Sequence, residues 1–242
     1  MEENLTITSM PKPDVRDYAR AIVTGILNGA VASVPLPGIA VAAELLSIIL
    51  TPPVSRRQDN WMVSIAVKLV ELQNKVDSFR IDDLSANEAF VTVLLQATQS
   101  ALRNHQEERL EALRNAVLNS ALPSAPEDDL QLIFLNLVDV LTPWHLRMLK
   151  LFDNPVRWME ENGRPFPKNI EMGGVQQVIE HALPELNRMS DLVVKIKQDL
   201  STQGLAEIPS GMMTKSGLLD SRTTNLGRQF IQFVSTPIPL RS

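Results

Sequence analysis

Cysteine is absent from this 242-residue chain, and its absence excludes several kinds of chemistry at once. The chain can form no disulfides, no thiolate zinc sites and no iron–sulfur clusters, and it has no cysteine nucleophile. A reducing cytosol is the compartment that this composition predicts. Aromatic residues make up only 5% of the chain. Because Leu, Ala and Val are common instead, the composition favours helices over strands.

Recognisable catalytic and metal-binding motifs are also missing. The three histidines, His105, His145 and His181, are predicted in separate helices without carboxylates at ligand spacing, so each is expected to be a surface or half-buried packing residue. No glycine-rich phosphate loop follows a predicted strand, and no Gly-x-Ser-x-Gly motif occurs. We therefore expect a protein that is not an enzyme and that uses no metal and no cofactor.

Positive charge is in the minority. The chain has 23 Lys and Arg against 28 Asp and Glu, which gives a net charge of −5. Nucleic acid and anionic lipid would both repel such a molecule, so a partner of either kind needs a local basic patch. The first residues, MEENLTITSMPKPD, are acidic and polar where a secretory signal would be basic. A cytoplasmic location is expected, with inner-membrane association on activation.

The most distinctive segment that is present is apolar, residues 21–50, and it is broken by Pro35-Leu-Pro-Gly38. Residues 1–13 are predicted to be a flexible arm. A first helix is predicted from Asp14 to about Ser33, and a second from about Ile39 to Leu50, ended by two prolines. The apolar part of each helix is shorter than the about 20 apolar residues that a membrane-spanning helix needs. The proline-rich break therefore predicts a helical hairpin.

Small and polar residues form stripes on both arms of this hairpin. Gly25 and Gly29 form a Gly-x-x-x-Gly motif, which allows a second backbone to approach closely, and Glu44 needs a partner or a water-filled lumen if it enters lipid. A buried core or a subunit interface explains the stripes as well as a membrane segment does. We expect the hairpin to be packed away at rest and inserted on assembly. The predicted membrane or oligomer interface consists of Ala21, Gly25, Gly29, Ser33, Glu44 and Ser47.

The sequence pattern predicts a succession of helices over the rest of the chain. Residues 61–76 carry an amphipathic stripe, and a capping box at Ser85 predicts one long helix that reaches about Leu122. A second capping box at Ser124 and the Thr142-Pro143 pair each predict a further helix start. The predicted domains are the hairpin with a long-helix bundle, 14–123, and a C-terminal domain, 124–242.

The C-terminal domain has the element order of a winged helix. Helices are predicted near 174–183 and 184–203, the second ended by Gly204, and a short β-hairpin is predicted in the Gly/Ser/Thr-rich stretch that follows. In the helix that would be the recognition helix of such a domain, acidic residues offset the charge of the lysines. We therefore expect this domain to bind a small nucleotide or a single strand in preference to duplex DNA. The candidate ligand-binding residues are Lys195, Lys197, Arg222 and Arg228. A protein–protein module is the alternative.

Four stretches carry a resemblance to a known family. They are Arg56-Arg-Gln with Trp61, residues 87–126, LTPWHLRMLKLFDNP at 141–155, and SRTTNLGRQFIQF at 221–233. The chain resembles a family of largely uncharacterised bacterial proteins that is similar to the Abi-alpha type of abortive-infection protein. This resemblance implies phage defence by an effector that harms its own host cell. A helical effector with an apolar hairpin is also similar to the membrane-acting partners of signal-making nucleotidyltransferases, the Hailong channel system among them.

Hairpin and resemblance together predict a homo-oligomeric antiviral effector. It would permeabilise the inner membrane through residues 21–50 when a signal, such as a nucleotide or oligonucleotide, reaches the C-terminal domain. Two alternatives stay open. The chain could be a winged-helix regulator that binds DNA, or it could be a structural scaffold without enzymatic activity.

Overall fold

A computed structural model describes residues 56–77 and 79–237. These residues are mainly helical with one small two-stranded sheet, which confirms the all-α class. The predicted arm and hairpin lie outside the described residues, and so do all six predicted interface residues: Ala21, Gly25, Gly29, Ser33, Glu44 and Ser47.

The chain divides into two compact units, and the boundary in the sequence lies between Glu88 and Ala89. The domain boundary predicted at residue 124 falls inside the second unit. In the first unit, helix α1 spans Arg56–Gln73 and a 3-10 helix spans Ile81–Ala86. The side chain of Gln73 links the two, because its Oε1 accepts the Ile81 backbone N–H at 2.9 Å.

The amphipathic stripe predicted over residues 61–76 is confirmed as far as Leu72, whereas Val76 lies beyond the end of α1 and is half-buried. Trp61, Ile65, Leu69 and Leu72 are all buried, and their spacing of four, four and three residues places them on one face of the helix. On the remaining surface, Lys68 and Glu71 form an ion pair at 2.8 Å. Apolar periodicity was therefore sufficient to predict both the helix and its buried face.

A run of five helices follows, and all but the first residue of this run, Glu88, belong to the second unit. Their bounds are α2 Glu88–Arg103, α3 Glu107–Ser120, α4 Asp128–Val140, α5 Pro143–Asp153 and α6 Pro155–Glu161. Helix α5 starts as predicted: Thr142 is the N-cap, and Pro143 occupies the first helical position. The capping boxes predicted at Ser85 and Ser124 do not form, because α2 and α4 begin later, at Glu88 and at Asp128.

The single long helix predicted from 85 to about 122 is wrong, because it is broken between α2 and α3. Asn104 ends α2: its backbone N–H donates to Ala101 O at 3.1 Å, and its side-chain Nδ2 donates to Ser100 O at 3.0 Å. Asparagine competes for backbone groups in this way and is a poor residue for a helix interior. Glu107 and Glu108 then occupy the first turn of α3, where negative charge is favoured.

The remainder of the second unit alternates short strands and helices. The elements are β1 Met172–Gly173, α7 Val175–Ala182, a 3-10 helix Pro184–Leu186, α8 Ser190–Thr202, β2 Met213–Thr214, α9 Lys215–Leu219 and α10 Asn225–Phe233. The predicted helix over 184–203 thus splits into a 3-10 turn and α8. Its predicted end is confirmed, since Gly204 follows α8 with φ +67°.

The two strands pair across a connection that contains α7 and α8. Met172 lies opposite Thr214, and Gly173 lies opposite Met213, in antiparallel register. The short β-hairpin predicted after Gly204 does not form as such, because β2 pairs with β1 and an isolated antiparallel bridge between Ala206 and Thr223 closes a long loop. That loop holds β2 and α9 in place of two strands paired with each other.

Helix α10 packs against α3, α4 and α5 and is central to the second unit. Its apolar face carries Phe230 and Phe233, whose rings lie 5.6 Å from the ring of Phe134 on α4. All three phenylalanines are buried. The aromatic cluster therefore joins the C-terminal helix to the middle of the chain.

Two asparagines on α3 hold the end of α10. Asn119 Nδ2 donates to Phe233 O and to Ser235 O, each at 2.8 Å, and Asn115 Nδ2 donates to Val234 O at 3.1 Å. The last carbonyl groups of a helix lack partners within the helix. The amides supply those partners, so they fix where α10 stops.

Among the described residues, no single helix has both the length and the apolar character needed to cross a membrane. Helices α4 and α5 meet the criterion as a pair by length and composition, but they are bent by 120° at the break between them.

Candidate functional site

The loop that the bridge between Ala206 and Thr223 closes surrounds a cavity of about 710 Å³. Backbone hydrogen bonds set its frame: Glu207 N–H donates to Arg222 O at 2.8 Å, and Thr224 N–H donates to Leu205 O at 3.1 Å. We call this space the loop cavity. Its wall is formed by Glu207, Ile208, Pro209, Met213, Gly217, Asp220, Ser221, Arg222, Thr223 and Thr224.

Arg222 is the only cation in the wall of the loop cavity. It is buried, with 6% of its surface exposed, and its two terminal nitrogens donate to Asp220 O and to Gly217 O, each at 2.7 Å. Its Nε has no hydrogen-bond partner. Burial lowers the pKa of Arg222, and the nearby Asp220 carboxylate opposes that shift. The predicted ligand-binding arginine thus points into the loop and cannot join a solvent-facing basic patch.

The other three candidate ligand-binding residues lie outside the wall of the loop cavity, and two of them already bond to other groups of the protein. Lys195 forms an ion pair with Asp199, one turn further along α8, and Lys197 is half-buried on the same helix. Arg228, on α10, donates to Thr223 O at 3.0 Å. Arg222 and Arg228 are therefore brought to one segment, and Lys195 belongs to a different cluster.

That second cluster is centred on His145, which lies in the first turn of α5. Its Nδ1 accepts the Thr142 backbone N–H at 3.2 Å, and its Nε2 lies 3.1 Å from Asp199 Oδ2 on α8. A neutral ring with the proton on Nε2 satisfies both contacts, because Nδ1 then accepts and Nε2 donates. His145 closes a capping box and also bridges two helices. The prediction that His145 is a surface or half-buried residue is wrong, because the side chain is buried with 5% of its surface exposed.

The other two histidines have separate environments. His105 is exposed in the break between α2 and α3. His181 is half-buried, with Nε2 3.1 Å from both Arg164 O and Pro165 O and its ring edge-on to Phe166. Within residues 56–77 and 79–237, no three His, Asp or Glu side chains are arranged to hold a metal ion.

Burial governs the protonation of the His145 cluster. Desolvation lowers the pKa of His145 below 6.5, more strongly than the hydrogen bond to Asp199 raises it. The hydrogen bond from Lys195 is the main reason that the pKa of Asp199 is lowered below 3.8. At neutral pH the cluster therefore contains a neutral histidine and an ionised carboxylate.

The stability of the second unit is expected to fall on mild acidification. In the unfolded chain His145 has its usual pKa of about 6.5, but in the folded state it stays neutral to a lower pH. As the pH drops through 6.5, the unfolded chain therefore binds more protons than the folded chain. The free energy of unfolding should have its full value above pH 6.5. As the pH falls from 6.5 to the pKa of His145 in the folded state, the free energy of unfolding should decline by at most about 1.4 kcal/mol per pH unit. Denaturant unfolding between pH 7.5 and 5 measures this slope.

His145→Gln should flatten the slope, and the exposed His105→Gln serves as its matched control. Asp199 stays ionised throughout this pH range because its pKa lies below it. Equal slopes for wild type and His145→Gln would contradict the role given to His145.

Several residues at these sites escaped prediction from the sequence. Asp199 was interpreted only as a charge that offsets the α8 lysines, and Glu207 was not singled out. His145 and Asp199 are 54 residues apart, so no local spacing signals their contact. The one local indication was the Thr142-Pro-Trp-His145 start of α5, where a polar residue at the third helical position can complete a capping box.

Comparison with models of protein families, with curated proteins and with solved structures finds no match to this chain.

Proposed function

We propose that this protein is a non-enzymatic effector of abortive infection that oligomerises and permeabilises the inner membrane through residues 21–50. A signal that binds the C-terminal part of the second unit, such as a nucleotide or an oligonucleotide, triggers the change. The effector is cytoplasmic at rest and associates with the membrane once activated.

The observation that carries this proposal is the apolar segment itself. Residues 24–50 contain a single ionisable side chain, Glu44, and the Gly25-x-x-x-Gly29 motif suits close helix contacts in lipid or between subunits. The resemblance to abortive-infection proteins supports the same conclusion. The loop cavity supports the trigger, since its volume lies within the about 300–1,000 Å³ typical of small-molecule sites.

The finer fold that we propose for residues 124–237 is winged-helix-like. Strand β1 precedes the helix pair α7 and α8, and β2 follows it, which is the order of elements in that fold. In such a domain α8 would be the recognition helix. Its exposed residues include Asp191, Val194 and Gln198, and Lys195 is paired with Asp199. This face offers little free positive charge, which disfavours the alternative of a duplex-DNA regulator.

Membrane potential in intact bacteria tests the proposed function. Cells that express the wild-type chain, with and without phage infection, are monitored with a potential-sensitive dye. We expect wild type to depolarise the cells and Gly29→Leu to reduce the response at least about tenfold, because leucine blocks the close helix contact that glycine allows. Val31→Leu, a neighbouring apolar replacement, is the matched control and should behave as wild type.

The proposal fails if Gly29→Leu depolarises cells as strongly as wild type, or if neither does so. A gel-shift titration with genomic fragments tests the alternative function. DNA binding that is seen at low salt and weakens steeply as the salt concentration rises would favour the DNA-binding regulator.

A further inference from the structure

The wall of the loop cavity combines three kinds of chemical group. Ile208, Pro209 and Met213 supply apolar surface, Glu207 and Asp220 supply carboxylates, and the buried Arg222 supplies a donor. A binding site of this kind recognises a ligand that has an apolar face together with both donor and acceptor groups. A simple ion has no use for the apolar surface.

One donor of Arg222 has no hydrogen-bond partner, as is also true of the buried Nε atoms of Arg109 and Arg114. The Nε of Arg222 is buried and makes no hydrogen bond, and no salt bridge to Arg222 forms within the described residues. An unsatisfied buried donor costs free energy, which an acceptor from a ligand would recover. Because Nε is covered by its neighbours, we expect the Arg222 side chain to shift when that acceptor binds.

The two carboxylates provide the complementary half of the site. Glu207 and Asp220 are exposed, and neither forms a salt bridge in the part of the chain that the structure describes. Ionised carboxylates only accept hydrogen bonds, so they select for N–H or O–H groups. They also outnumber Arg222, which makes a phosphate group an unfavourable occupant by itself.

A purine base matches these features. Its ring faces are apolar, O6 or N7 of guanine can accept the one hydrogen bond that the unpartnered Nε of Arg222 can donate, and carboxylates accept from the amino groups of bases. Guanine offers more N–H donors on one edge than adenine does, and the site has two carboxylates to receive them. A methionine next to the ring is also favourable, since its sulfur makes attractive contacts with aromatic systems.

We propose that the loop cavity is a purine-base site, in which Glu207 and Asp220 accept hydrogen bonds from the N–H groups of a guanine and Arg222 donates to its acceptor edge. The inference rests on the proposed function, because it names the base that the signal would carry. Any phosphate on the signal would lie outside the cavity.

Isothermal titration of the full chain tests this assignment, with guanosine, adenosine and inorganic phosphate as probes. We expect guanosine to bind with a Kd of about 1 mM or tighter, adenosine to bind more weakly, and phosphate to give no signal. The double variant Glu207→Gln, Asp220→Asn should weaken guanosine binding at least about tenfold. Both positions are exposed, so we expect the variant to fold. Glu160→Gln, an exposed carboxylate outside the cavity wall, is the matched control.

Three results would each overturn the assignment. They are no guanosine binding to the wild type, equal binding by the double variant, and phosphate binding as tight as that of guanosine. Depolarisation of cells is measured independently of these titrations. If guanosine fails to bind while wild type still depolarises cells, the base assignment alone is wrong, and the proposed function stands.

Discussion

Replacing Phe134 with alanine is expected to lower the free energy of unfolding by about 3–5 kcal/mol. The Phe134 side chain is fully buried on α4, and its ring contacts both Phe230 and Phe233 on α10 at centroid distances of 5.6 Å. Alanine would remove both aromatic contacts and leave a cavity between the helices, which the surrounding structure can only partly fill.

Urea unfolding followed by circular dichroism measures this loss. Ile133 is the matched control, because it is the preceding residue on the same helix and is 49% exposed. Ile133→Ala should change the free energy of unfolding by about 0.5 kcal/mol or less. A comparable loss for the two variants would show that the aromatic cluster does not join α4 to α10 in solution.

Replacing Gly227 with alanine is expected to destabilise the second unit by about 3 kcal/mol, although alanine is the better helix former. A Cβ at position 227 would lie 2.0 Å from the backbone oxygen of Leu205. That oxygen also accepts the Thr224 N–H at 3.1 Å, and the Thr224 hydroxyl donates to Gly204 O at 2.6 Å. These hydrogen bonds hold the backbone of residues 204 and 205, which therefore cannot easily move away from a Cβ at position 227.

Gly217→Ala provides the comparison within the same region. The nearest atom to a Cβ at Gly217 is Met213 Cβ at 3.4 Å, an ordinary contact distance. This variant should be neutral, or more stable by up to about 1 kcal/mol, because alanine favours the helix. Thermal unfolding of the two variants separates the cases, and a Gly227→Ala melting temperature equal to that of wild type would contradict the close approach.

Much of the secondary structure could be predicted because its signals are local. The apolar spacing of α1, the Thr142-Pro143 start of α5 and the Gly204 end of α8 each depend on residues within one or two turns of each other. The break at Asn104 was missed because the chain on both sides has strong helical character. Its signal, an asparagine followed by two glutamates at a helix start, is also local but weaker.

The candidate sites were predicted less well because they depend on distant residues. Arg222 and Arg228 were identified by charge, but the sequence could not indicate that Arg222 points inward to carbonyl oxygens. His145 was interpreted as isolated because its partner, Asp199, lies on another helix. The loop cavity exists only because the bridge between Ala206 and Thr223 folds that segment back on itself.

Composition and local pattern by themselves determined that this protein is mainly helical, that it has no cysteine chemistry, and where several of its helices begin and end. These properties follow from backbone preferences and from the periodicity of apolar residues, which act over a few residues. Tertiary structure decided which polar groups meet, which arginine loses its solvent, and why a glycine is required at position 227. Burial and close packing depend on the whole fold, since desolvation and steric contact arise only when distant segments come together.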